Sequence, residues 1–118
     1  MNFTTITIAG QEYKLALTTS SIIQIERKLG KSALVDLMKM MSGSKEEEIN
    51  MAEMPVLEDL LIIFHGSLQK FNANISMEKT YSLYDLMCDE EYENGPYMTL
   101  LLKITEVLST AFFGKKKN

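Results

Sequence analysis

Apolar and polar residues alternate one by one at the start of the chain, and the rhythm then changes. Thr4, Ile6 and Ile8 alternate with Phe3, Thr5 and Thr7, and Tyr13, Leu15 and Leu17 alternate with Lys14 and Ala16. Strand side chains change face at every residue, so this period of two predicts a β-hairpin over Phe3–Ile8 and Tyr13–Leu17. Ile6 and Ile8 share a face with Tyr13 and Leu15 only if the loop has an even length. Two residues at Ala9-Gly10 satisfy this, and so do four over Ala9–Glu12. A slip of one residue would mix apolar with charged positions, so the register is well specified. Two strands are marginal alone, so the apolar face must pack on helices or the hairpin must gain a strand from a neighbour.

After Leu17 the period becomes helical. Thr18-Thr19-Ser20-Ser21 offers caps, Ile22, Ile25 and Leu29 follow at helical spacing, and Gly30 is a natural stop. Ser32 begins a short second helix, Ala33–Met41, with Leu34, Leu37, Met38 and Met41 inward. The polar, acidic stretch Ser44–Met54 reads as a loop. The strongest apolar pattern is central, over Pro55–Phe71. Pro55 suits a first helical position, and Glu58 and Asp59 complement the positive end of the helix. Val56, Leu57, Leu60, Leu61, Phe64, Leu68 and Phe71 fall on one side. Ile62 lies opposite, next to Gly66, which predicts contact from two directions. After a turn at Asn72–Asn74, Ser76 caps a helix over Met77–Glu91. Its inward stripe is Met77, Tyr81, Tyr84 and Cys88, with Leu83, Leu86 and Met87 on another side. Asn94-Gly95-Pro96 introduces the last helix, Tyr97–Phe113. There Tyr97, Leu100, Leu101, Ile104, Leu108 and Ala111 face one way, and Met98, Leu102 and Phe113 another.

The fold expectation is α+β, mainly α: one hairpin packed on a bundle of about five helices. A single domain spans residues 1–114, with the hairpin at 3–17, the helical part at 20–113 and a basic tail at 115–118. With 118 residues the chain is long enough for one real core. A net charge of −4 and a pI near 5.0 argue against general binding to nucleic-acid phosphates. One cysteine excludes an internal disulfide framework and fits a reducing compartment. No apolar run approaches the about 20 residues that span a bilayer. MNFTTITIAG lacks the basic start and apolar block of a signal peptide. A soluble, cytosolic protein with no membrane and no nucleic-acid partner is expected. Nine methionines are many for this length, and Met38, Met40, Met41, Met51 and Met54 crowd one region. Adaptable core filling is the favoured reading, ahead of a binding surface.

Candidate chemistry is sparse. His65 and Cys88 are the only residues of their types, and a Cys–His nucleophile pair is formally possible. No orienting motif accompanies them, and a buried cysteine behaves as a small hydrophobe. Glu46-Glu47-Glu48 and Asp89-Glu90-Glu91, with Glu93, are acidic clusters without the ligand spacing and central glycine of a calcium loop. They read as solvated charge. There is no phosphate-cradling glycine loop and no zinc-ligand spacing. The sequence predicts no catalytic, cofactor or metal site. The off-stripe residues Leu83, Leu86, Met87, Met98, Leu102 and Phe113 are the candidate partner-binding set, with burial inside the monomer as the alternative.

The order of the segments carries a resemblance. TITIAGQEYKLAL, IERKLGKSAL, MPVLEDLLIIFHGSLQKF, ISMEKTYSLYDLM and LLKITEVLSTAFFGKKK follow one another between Thr4 and Lys117. This arrangement resembles the small tail assembly chaperones of long-tailed, siphovirus-type phages and prophages of Gram-positive bacteria. Ala9-Gly10 stands where relatives often carry Asn-Gly, and Asn72–Asn74 is not the His-Gly type of turn; both departures touch turns only. The resemblance implies a non-enzymatic assembly factor that binds the tape measure protein and helps recruit tail tube subunits. It implies a location in the host bacterial cytoplasm and absence from the mature virion. It also implies a longer form made by ribosomal frameshifting, for which Gly114–Lys117 suits an A-rich slippery run. Self-association is a further possibility. The competing readings are an enzyme built on Cys88 or an acidic loop, and a virion structural tail protein such as a tail completion or tube component.

Overall fold

The computed structural model describes residues 3–30 and 54–114. In these the order is β1 (Thr4–Ile8), β2 (Gln11–Leu15), α1 (Thr19–Leu29), α2 (Leu57–Leu68), α3 (Met77–Cys88) and α4 (Gly95–Phe113). The result is a mainly helical α+β fold with a two-stranded antiparallel hairpin and four helices among the described residues. The short helix expected over Ala33–Met41, the loop before Met54 and the basic tail lie outside the described residues.

The hairpin turns in two residues. Ile8 pairs with Gln11, Ile6 with Tyr13 and Thr4 with Leu15. Ala9 and Gly10 both have positive φ, 51° and 80°, as the tight turn matched to strand twist requires. The second strand therefore runs Gln11–Leu15, two residues earlier than the alternation alone placed it. A two-residue turn pairs Gln11 and Glu12 with β1 despite their polarity. Ile6, Ile8 and Leu15 enter the core. At the open end of the hairpin the Ala16 N–H donates to the Ser67 carbonyl at 2.9 Å. That carbonyl belongs to the last turn of α2, where no intrahelical donor remains.

Helix starts follow the capping chemistry. Thr18 Oγ1 accepts the Ser21 N–H, and Ser76 Oγ accepts the Lys79 N–H. Gly30 closes α1 with its N–H on the Glu26 carbonyl. The turn after α2 places Asn74 at φ 68°, a conformation asparagine tolerates better than most residues.

α2 is the centre of the fold. It packs on α1, α3, α4 and β2. Leu60, Leu61, Ile63, Phe64, Gly66, Ser67 and Leu68 are all buried. At 100° per residue these positions cover well over half of the helix circumference, which confirms contact from more than one direction. The second contact runs through Ile63, Gly66 and Ser67, whereas Ile62 is half-buried. The ends of the expected stripe are corrected. The helix begins at Leu57, and Val56, Leu57 and Phe71 are exposed. Pro55 lies before the helix, and its carbonyl accepts the Tyr97 hydroxyl.

The stripe on α3 is also corrected. Thr80, Leu83 and Met87 are its buried residues, whereas Tyr81 and Cys88 are exposed. Helix periodicity offered two apolar sides, and the stripe containing the larger tyrosines was the wrong one. Of the two rings only Tyr81 is exposed; Tyr84 is half-buried and packs against the edge of the core. The helix ends at Cys88, before the acidic run. On α4, Leu100, Leu101, Ile104, Val107 and Leu108 are buried. Val107 is an addition to the expected face, and Ala111 is exposed. Among the described residues no buried side-chain nitrogen or oxygen lacks a hydrogen-bond partner.

Candidate partner-binding surface

The outer face of α4 is the candidate surface. The helix is long enough that its two sides have different fates. Ile104, Leu108 and their neighbours face the core. Met98, Leu102, Thr105, Ser109 and Phe112 recur on the other side at steps of four, three, four and three, with Phe113 beside the last. None of these six residues is charged. Leu102 is 51% exposed and Phe113 63% exposed, while Met98 is half-buried against the core. Glu106 is exposed at the margin of the stripe. A helix face of this composition can cover apolar surface on another chain and offers two hydroxyls near its middle.

The six candidate residues separate. Met98, Leu102 and Phe113 share the outer side of α4. Leu86 is 40% exposed on the neighbouring helix α3. Leu83 and Met87 are fully buried and belong to the core, so they are withdrawn from any exposed surface. Packing of α3 against α2, α4 and β1 consumes that side of the helix. Phe112, Thr105 and Ser109 were not identified from sequence. Continuing the helical period from Leu102 would have found them, but two are polar and an apolar-only count passes over them.

A second apolar surface lies at the open end of the hairpin. Phe3 and Phe71 meet edge to face with centroids 5.7 Å apart, and Lys14 Nζ sits 4.9 Å and 5.6 Å from their rings. Nearby, Phe3, Leu15, Ala16, Val107 and Ala111 help line an open cleft of about 160 Å³. Lys14 makes this cluster the more polar of the two surfaces.

His65 has a structural role. Its Nε2 is 2.9 Å from the Ile75 carbonyl and 3.0 Å from Gln69 Nε2. A carbonyl can only accept and an amide nitrogen can only donate, so Nε2 donates to Ile75 in the tautomer protonated there and accepts from Gln69 in the other. The Gln69 amide then donates to the His65 and Ile75 carbonyls. This network ties the end of α2 to the start of α3. Cys88 is exposed rather than inward and lies near Tyr84. Burial first, then Cys88 and Tyr97, raises the Tyr84 phenol above its ordinary range, and burial alone raises Tyr97.

The acidic run after α3 is partly structural too. Glu90 Oε1 accepts the Ala9 N–H at 2.8 Å and the Tyr92 hydroxyl at 3.1 Å. The same hydroxyl lies 3.3 Å from the Thr7 carbonyl. The hairpin tip is thereby clasped to the α3–α4 connection. Burial, then the hydrogen bond and charge of Glu90, pushes the Tyr92 phenol up to about 12. Among the described residues no group of three or more His, Cys, Asp or Glu side chains is placed to hold a metal ion, and no helix is long and apolar enough to cross a membrane.

Comparison with known proteins finds no matching family model, no matching curated protein and no matching solved structure.

Proposed function

We propose that this chain is a phage or prophage tail assembly chaperone, a non-enzymatic factor that binds the tape measure protein and helps recruit tail tube subunits. The observation that carries the reading is the uncharged outer stripe of α4, exposed at Leu102 and Phe113 on a helix whose opposite face is core. Fully burying one such side chain is worth about 1.5–3 kcal/mol, so covering the stripe contributes usefully to association. An amphipathic helix of the tape measure protein is the occupant, laid apolar side down along α4. The segment order between Thr4 and Lys117 supplies the biological assignment. On this reading the protein works in the host cytoplasm, beside a longer frameshifted form, and is absent from finished virions.

The test is co-expression with the tape measure protein, followed by affinity purification. The wild-type chain should carry the tape measure protein with it, and Leu102→Glu should lose most of it while keeping its melting temperature. Mass spectrometry of purified virions should detect none of the chain. Finding it there in stoichiometric amount would replace this reading with a structural tail component. Loss of co-purification only in unfolded variants would remove α4 from the interface.

A further inference from the structure

We draw no further inference here: the strongest candidate, the open cleft between the ends of the hairpin strands and the C-terminal half of α4, flanked by the exposed Phe3–Phe71 pair, is an unpartnered apolar surface and nothing in the structure shows what covers it.

Discussion

Gly66 of α2 lies directly against Ile25 of α1. A Cβ built on Gly66 would stand 2.6 Å from Ile25 Cδ1 and 2.9 Å from its Cγ1. Ile25 is 2% exposed and β-branched, so it has little freedom to turn away. The absence of a side chain at Gly66 therefore sets how closely the two helices approach. Gly66→Ala should be destabilising: overpacking costs about 1–3 kcal/mol, against a helix-propensity gain of about 0.5–1 kcal/mol. Urea denaturation would measure the loss. Ile25→Val removes the offending methyl and should recover part of it in the double variant. Simple additivity of the two changes would show that the contact does not limit the packing.

The two sides of the α3–α4 layer should respond in opposite ways to the same kind of change. Leu83 is fully buried and Leu102 is half-exposed. Leu83→Ala should cost about 2–5 kcal/mol as a cavity forms. Leu102→Ala should stay within about 0.5 kcal/mol of wild type, as surface substitutions do. Thermal melts followed by circular dichroism separate these outcomes. Similar melting temperatures for both variants would mean that Leu83 is not a core residue.

Strain at the hairpin turn is open to relief, because Ala9 holds a positive φ of 51°. For an ordinary L-residue this conformation costs about 1–2 kcal/mol, and asparagine or glycine adopts it more readily. Ala9→Asn should raise stability by about 0.5–1 kcal/mol within that margin, since its backbone N–H still reaches Glu90. A fall in the denaturation midpoint would show that the methyl group has a packing role.

The Glu90–Tyr92 clasp gives a signature at high pH. The folded-state Tyr92 pKa of about 12 exceeds the ordinary 10.0. Folding therefore favours the protonated phenol. That contribution is fully present below pH 10 and is lost as pH rises through the folded value of about 12. Ultraviolet titration of the phenols should show a late-titrating group that is missing in Tyr92→Phe. In Glu90→Gln it should move down part of the way, because burial is the larger cause of the shift. An unchanged titration curve in Tyr92→Phe would place the late group elsewhere.

Local rules in the sequence determined much of this protein. The alternation around Ile6 and Tyr13 specified a hairpin with an even-length turn, leaving two and four residues both open, the Thr18–Ser21 cluster and Ser76 marked helix starts, and Leu60, Leu61, Phe64 and Leu68 marked the central core. These signals act over a few residues, through strand pleat, orphan N–H groups and helical period. Tertiary structure alone decided which side of α3 turned inward, because Leu83–Met87 and Tyr81–Cys88 are both apolar enough to be buried. It also decided the extent of α2 burial, since Ile63, Gly66 and Ser67 become core only when α1 and β2 arrive on that side. The Glu90 contact with Ala9 spans 81 positions in the chain and has no local signal at all. The outer stripe of α4 was legible at Met98, Leu102 and Phe113. Its separation from Leu83 and Met87 depended on which faces the neighbouring helices had already covered.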